Sequence, residues 1–112
     1  MFLRNWLVQI RKGYLELMIL LLVQKHESLY GLQILQFLEK MGFQTKEGTL
    51  YPLLNRLTKE ALLKASWIDE GKGVPKKYYS LTAMGKNELT NMSKEFESMN
   101  ILFNSLQNDI KE

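Results

Sequence analysis

The amino-acid sequence predicts a mainly α-helical protein with one small β-hairpin. Apolar residues recur at helical spacing along most of the chain, whereas two runs near its middle favour strands and are separated by a loop with glycine and proline. Near the C-terminus, a strict heptad pattern indicates a long helix that packs against a second long helix. The 112 residues, of which 46% are apolar, are enough for one compact domain.

Two helices begin the predicted fold. The first covers roughly residues 11–25, and its leucine-rich interior indicates a central position in the core. Its apolar run, residues 17–23, is far shorter than the roughly 20 residues that cross a bilayer, and no cleavage site follows it, so we expect an unprocessed cytoplasmic protein. The second helix is predicted from about Ser28, a suitable N-cap, to Met41, with Gly42 as its stop.

A third helix, with one apolar and one polar face, is predicted between about Thr45 and Glu60. Its buried stripe consists of Leu50, Leu53, Leu54 and Leu57. Pro52 interrupts the pattern, because a proline inside a helix removes one hydrogen bond and crowds the carbonyl group four residues earlier, that of Gly48. The sequence therefore leaves the start of this helix open between Thr45 and Thr49.

A β-hairpin is predicted from residues 63–68 and 76–81, joined by the glycine- and proline-containing loop 71–75. The loop and the strand after it carry three lysines, Lys72, Lys76 and Lys77. Thr82 is the expected N-cap of a final helix that extends to about Lys111.

The final helix carries an apolar seam with alternating spacings of three and four residues. The seam consists of Leu89, Met92, Phe96, Met99, Phe103, Leu106 and Ile110. This 3.5-residue period is typical of a coiled coil, whereas a helix that packs only on its own domain usually shows a broader stripe with a period of 3.6. The simplest partner is a second copy of the chain, so we expect a homodimer. The alternative is that the seam packs on the protein's own first helix.

The order of these elements is that of a winged helix-turn-helix. In that fold the third helix enters the major groove of DNA, where each base pair presents distinct hydrogen-bonding groups, and the hairpin brings lysines to flanking phosphates. The charge agrees, because residues 1–81 hold 12 lysines and arginines against 7 acidic residues, whereas residues 82–112 hold 3 against 5. The predicted DNA-binding residues are Lys46, Thr49, Tyr51, Asn55, Arg56, Lys59, Lys72, Lys76 and Lys77.

Other interpretations of the same residues stay open. The cations of the third helix can simply solvate an exposed face, and the hairpin lysines can protect a strand edge against aggregation. The aromatic residues Trp67, Tyr78 and Tyr79 fit packing within the hairpin better than stacking on nucleic acid. The rival functions are a winged helix used for protein–protein contacts and an effector-binding protein that has lost its contact with DNA.

The residues give no support to an enzyme. The sequence has no nucleophile elbow, no glycine-rich phosphate loop and no pair of histidines at ligand spacing. Cysteine is absent, and His26 is the only histidine, so we expect neither a metal site nor a cofactor.

Four separated motifs, in the correct order, resemble those of the PadR family of bacterial transcriptional regulators. The motifs are Lys-Gly-Tyr-Leu-Glu at 12–16, Tyr-Gly-Leu-Gln-Ile at 30–34, Glu-Gly-Thr-Leu-Tyr-Pro-Leu-Leu-Asn-Arg-Leu at 47–57, and Lys-Lys-Tyr-Tyr-Ser-Leu-Thr at 76–82 with Gly85. They resemble, respectively, the family's usual entry, its second helix, its recognition helix, and its wing strand with the start of the C-terminal helix.

The resemblance implies a repressor-type regulator that binds a roughly palindromic operator as a dimer. It also implies the short form of the family, in which residues 1–82 form the DNA-binding domain and residues 83–112 the dimerisation helix, with residues 1–11 near the dimer interface. A small aromatic or drug-like effector is expected near that interface. Its candidate lining residues are Trp6, Phe96, Met99 and Phe103, for which plain dimer core is the alternative interpretation.

Overall fold

A computed structural model describes the backbone of residues 1–111 and the side chains of residues 1–109. Within this range the chain forms four helices and three short strands. Their order is α1 (Phe2–His26), β1 (Leu29–Tyr30), α2 (Gly31–Lys40), α3 (Glu47–Lys59), β2 (Leu63–Ile68), β3 (Lys76–Leu81) and α4 (Ala83–Lys111). No helix of the described chain is long and apolar enough to cross a membrane.

The three strands form one antiparallel sheet in the order β1-β3-β2. The predicted hairpin is confirmed with the predicted bounds, and its register pairs Leu63 with Leu81 and Ile68 with Lys76. The β2–β3 hairpin with its loop, residues 69–75, is called the wing below. Strand β1 is an addition that the sequence analysis missed, because two residues are too few to show an alternating pattern.

Strand β1 also corrects the predicted start of the second helix. Ser28 is not its N-cap, because the next two residues are extended and pair with β3. Tyr30 occupies the N-cap position instead, and its backbone N–H donates a hydrogen bond to Oε1 of Gln33 at 3.1 Å. The helix therefore begins at Gly31.

The first helix is much longer than predicted. It begins at Phe2 rather than near residue 11, where the leucine-rich part of the sequence predicts its start, and its buried residues begin only at Leu15. The residues before Leu15 contain no proline, and they continue the helix past the core without being covered by it. The N-terminal part of α1 is consequently an exposed helix with several large apolar side chains.

The third helix begins at Glu47, between the two limits that the sequence left open. Pro52 is its sixth residue and is accommodated inside the helix, at the cost of the hydrogen bond to the carbonyl group of Gly48. The predicted buried stripe is confirmed, with Leu50, Leu54 and Leu57 at most 1% exposed and Leu53 half-buried.

Helices α2 and α3 end in the same hydrogen-bonded turn, which reverses the chain after a residue with positive φ. After α2 that residue is Gly42 (φ 84°), and the N–H of Phe43 donates to the carbonyl of Leu38 at 2.9 Å, so the predicted stop is confirmed. After α3 the position is occupied by Ala61 (φ 63°), where a Cβ makes the left-handed conformation about 1 kcal/mol less favourable than for glycine.

The start of α4 is fixed by two close contacts. Thr82 is its N-cap, as predicted, because Oγ1 accepts a hydrogen bond from the N–H of Gly85 at 2.8 Å. A Cβ at Gly85 would overlap the carbonyl oxygen of Leu62, so only glycine allows this approach of α4 to the corner after α3. The core beneath is formed by all four helices and the sheet, and its fully buried large residues are Ile19, Leu20, Val23, Ile34, Leu38, Leu50, Leu54, Leu57, Leu63 and Leu89.

Candidate nucleic-acid interface

A groove of about 430 Å³ lies between α3 and the wing. Its walls combine aromatic, polar and cationic side chains from α2, α3 and the wing. The lining residues are Tyr30, Gly31, Leu32, Tyr51, Asn55, Trp67, Lys76, Lys77 and Tyr79. Four of the predicted DNA-binding residues, Tyr51, Asn55, Lys76 and Lys77, are thus brought to one surface by two different elements, α3 and β3.

Tyr51 is positioned by a close contact with the start of α2. A Cβ built on Gly31 would lie 2.5 Å from Cε1 of Tyr51 and 2.7 Å from its hydroxyl oxygen, so the ring lies directly against the glycine backbone. The ring remains 37% exposed in the groove. Gly31, within the second of the four motifs, therefore allows the Tyr51 ring of α3 to pack directly on the start of α2.

Lys77 lies on the face of the wing that looks toward the groove. Its Nζ is 5.8 Å from the ring centroid of Trp67 and 5.8 Å from that of Tyr79, and the side chain is half-buried. Cation–π attraction operates at such distances, so the two rings restrict where the ammonium group can go. Burial raises the pKa of Tyr79 above its usual value, which keeps its phenol neutral.

Lys76 is held by a second set of contacts. Its Nζ is 3.8 Å from Oε1 of Glu70 and 4.6 Å from the ring centroid of Tyr30. The hydroxyl group of Tyr78 donates to Oε2 of the same glutamate at 3.0 Å, and loss of hydration together with this bond raises the pKa of Tyr78. Lys72 lies in the exposed loop between the two strands.

The remaining predicted residues lie on α3 or just before it. Lys46, Thr49 and Lys59 are exposed to solvent. Arg56 is outside the groove, on the side of α3 that faces α1, where its guanidinium group forms an ion pair with Glu16. A second carboxylate, that of Glu60, lies 3.6 Å from Nε of Arg56. Arg56 was predicted from the sequence as a DNA-binding residue, and neither carboxylate partner was predicted.

Trp67 corrects the expectation that the aromatic residues of the hairpin serve packing. Tyr79 does pack in the core and is 3% exposed, and Tyr78 contacts Tyr30 edge-on at 5.2 Å. Trp67, however, is 69% exposed. Both strands of the hairpin carry aromatic residues in the sequence. The structure shows that the wing extends past the core at Trp67, so this ring is not covered.

Comparison with known protein families identifies the family of the chain. The model of the transcriptional regulator PadR-like family matches residues 19–91, well over half of its length. The chain belongs to the PadR-like family. Members of this family are non-enzymatic regulators that bind DNA and typically dimerise.

Solved structures of PadR-like proteins agree with the fold. The chain is 39% identical to a PadR-like transcription factor of Bacteroides fragilis, with a TM-score of 0.78 and coverage of 91% of this chain and 98% of the other. It is 33% identical to a PadR-like regulator of Bacillus cereus, with a TM-score of 0.80 and coverage of 88% and 96%. An uncharacterised curated protein of Lysinibacillus sphaericus is 36% identical over 88 residues, 76% of this chain and 80% of that protein. The predicted winged-helix fold is confirmed.

A second surface of this PadR-like chain is apolar and lies between α1 and α4. A cavity of about 880 Å³ opens there, and Trp6, Phe96, Met99 and Phe103 all contribute to its lining. The sequence analysis named these four residues together as candidate effector contacts. Tyr14 of α1 and Phe96 of α4 also line it, with their ring centroids 5.6 Å apart.

The heptad seam divides between this surface and the core. Leu89 is 1% exposed inside its own domain, which corrects its assignment to the dimer interface, and Met92 is half-buried against the same core. The alternative of packing within one chain thus accounts for the beginning of the seam. The exposed fraction then rises along α4, with Phe96, Met99, Phe103 and Leu106 between 40% and 60% exposed. The side chain of Ile110 lies outside the described residues.

Proposed function

We propose that the chain is a repressor that binds a pseudo-palindromic operator as a homodimer and is released by a small hydrophobic or aromatic effector. The observation that carries this proposal is the groove between α3 and the wing, where Asn55 and Tyr51 share one surface with Lys76 and Lys77. Amide groups of this type bond base edges, and lysines bond phosphates, so the surface has what both kinds of contact require.

Each subunit inserts α3 into a major groove, and the two half-site centres lie roughly 34 Å apart, about one turn of DNA. Asn55 and Thr49 contact bases, and Arg56 joins them if DNA draws it away from Glu16. The phosphate contacts come from Tyr51 and the surrounding lysines: Lys46, Lys59, Lys72, Lys76 and Lys77.

The dimer joins residues 83–112 of two chains, with residues 1–11 beside them, and residues 1–82 serve as the DNA-binding domain. Support comes from the exposed apolar side chains on α4 and at the start of α1, among them Phe2 at 84% and Met99 at 60%. Clusters of exposed apolar side chains such as these often mark an interface with another protein. A second copy of the chain carries the same apolar face, so the two copies can cover each other.

The effector occupies the cavity between α1 and α4, against Trp6, Phe96, Met99 and Phe103. The cavity volume of about 880 Å³ is within the range of pockets that bind drug-sized ligands. The aromatic side chains of its lining favour a flat apolar molecule. Since a chromosomal operator is the target, the proposal carries a cytoplasmic location with it.

Gel-shift titration of genomic fragments tests the DNA contact. If the dimer neutralises about eight phosphates, the logarithm of affinity falls against the logarithm of salt concentration with a slope of about −7. Replacing Lys72, Lys76 and Lys77 by alanine removes up to six of these contacts per dimer. We therefore expect affinity to fall for all fragments alike and the slope to become less steep by about 0.9 for each phosphate contact that is lost.

The matched control replaces three exposed lysines away from the groove, Lys40, Lys86 and Lys94. It changes the net charge by the same amount, so an equal loss of affinity in both triple variants contradicts a specific role of the wing. If the protein retards none of the fragments even at low salt, this result contradicts the DNA-binding proposal itself. It then favours a winged helix that contacts proteins.

A further inference from the structure

Trp67 lies at the outer end of a strand face that otherwise packs in the core. Side chains alternate along a strand, so Leu63, Ala65 and Trp67 share one face of β2. Leu63 is 1% exposed, Ala65 is half-buried and Trp67 is 69% exposed. The wing has run past the end of the core at this point, and the indole is left over the groove that also holds Tyr51 and Asn55.

The indole is adjacent to a cation. Lys77 is the cross-strand partner of Trp67, and its Nζ lies 5.8 Å from the ring centroid. The second ring near Lys77, that of Tyr79, is buried, so the ammonium group has one covered side and one side shared with an exposed ring. An apolar ring and a cation are thus offered together at the rim of the groove.

A DNA strand presents the same two chemistries together. Every phosphate is bonded to a deoxyribose, whose carbon atoms form an apolar surface next to the charge. A phosphate that binds Lys77 therefore brings a sugar to Trp67, and the indole N–H is a further donor for a phosphate oxygen.

We propose that Trp67 and Lys77 form a single contact for one nucleotide of the DNA backbone, with the indole against the deoxyribose and the ammonium group on its phosphate. This inference rests on the proposed DNA binding and adds a residue that the sequence analysis assigned to packing. The contact is independent of base sequence, because sugar and phosphate are the same in every nucleotide.

Tryptophan emission tests this contact without knowledge of the operator. In the Trp6→Phe variant, Trp67 is the only tryptophan, and a duplex of random sequence with a fluorescent end label serves as the probe. We expect the emission of Trp67 to change in proportion to the rise in anisotropy of the label. The change must vanish in the otherwise unaltered Trp67→Phe variant, which retains Trp6 alone.

The two signals separate this inference from the function on which it rests. Anisotropy that stays flat at low salt with the unsubstituted protein overturns the DNA-binding function. Anisotropy that rises while the emission of Trp67 stays constant overturns only the Trp67 contact.

Affinity measurements provide a second test. Trp67→Ala should weaken binding about tenfold on every duplex, the effect of about 1.4 kcal/mol, and Trp67→Phe should weaken it less. The control is Ile68→Ala on the opposite face of the same strand, which should leave affinity unchanged; circular dichroism checks the fold of each variant. A loss confined to one DNA sequence overturns the backbone contact, because it would mean that the ring reads a base.

Discussion

The groove beside α3 and the apolar surface shared by α1 and α4 differ in how much of each one chain completes. In the groove, every lysine of β3 already has partners: Lys77 lies near two rings and Lys76 beside Glu70. On α1 and α4, side chains such as Met99 and Leu106 remain more than half exposed. The lysines of the groove are thus held by contacts within the protomer, whereas the second surface is left uncovered by its own chain. In the proposed function, specific recognition and assembly therefore belong to different parts of the chain.

The strongest way to break this comparison is to place a charge on the uncovered surface. Phe103 is 58% exposed and lies in the second half of the heptad seam. We expect Phe103→Lys to prevent dimerisation, because each subunit would have to bury a charged lysine in an apolar seam. Sedimentation should then show a monomer, and affinity for a two-half-site fragment should fall about 10²- to 10⁴-fold, since the advantage of bivalent binding is lost.

The control for this variant is Ser105→Lys, which adds the same charge two residues further along the helix and off the seam. It should remain dimeric. A monomeric wild-type protein, or a dimeric Phe103→Lys variant that binds normally, contradicts the assignment of this surface to a second copy.

The two regions also differ in how far the sequence predicted them. The hairpin bounds, the cap at Thr82 and the stop at Gly42 were predicted correctly, because turn and cap chemistry depends on residues close in the chain. The pairing of Arg56 with Glu16 was not, because it joins residues 40 positions apart on two helices. No local pattern reports which of two exposed charges a fold will bring together.

The heptad seam shows the same limit in another form. Its spacing is uniform from Leu89 onward, yet the exposed fraction is 1% at Leu89 and 60% at Met99. Spacing reveals which residues share a face of the helix, but not where the helix leaves its own core. Strand β1 was missed because two residues show no alternating pattern, and the first turns of α1 were missed because the leucine-rich run that indicated the helix lies further along the chain.

The preorganisation of the groove can be tested at Gly31. In Gly31→Ala the new methyl group would lie 2.5 Å from the ring of Tyr51, so the ring must move. Urea unfolding should show a loss of about 1–3 kcal/mol, the usual cost of overpacking, and DNA affinity should fall about tenfold if Tyr51 contacts a phosphate.

The double variant Gly31→Ala/Tyr51→Ala identifies the cause. The three atoms nearest to the added methyl group all belong to the ring, so without it the stability cost of Gly31→Ala should fall sharply when measured against Tyr51→Ala alone. If Gly31→Ala lowers the free energy of unfolding equally in both backgrounds, the glycine is required by the backbone of α2 and not by its contact with the Tyr51 ring.

The smallest expected effect concerns an ion pair between α1 and α3, the helices that contribute to the apolar surface and to the groove respectively. Glu16 lies on α1, two residues after Tyr14 of the cavity lining, and its carboxylate pairs with Arg56 on α3. The arginine side chain is 57% exposed, so water partly screens the ion pair. Glu16 competes with a base or a phosphate of DNA for the guanidinium group. Glu16→Gln should therefore raise DNA affinity about two- to fivefold, corresponding to about 0.4–1 kcal/mol. The rise should be absent when Arg56 is already alanine, because the released group is then missing. Weaker binding by Glu16→Gln would instead mean that the ion pair orients Arg56 for DNA, and α1 would then act on the recognition helix through this contact.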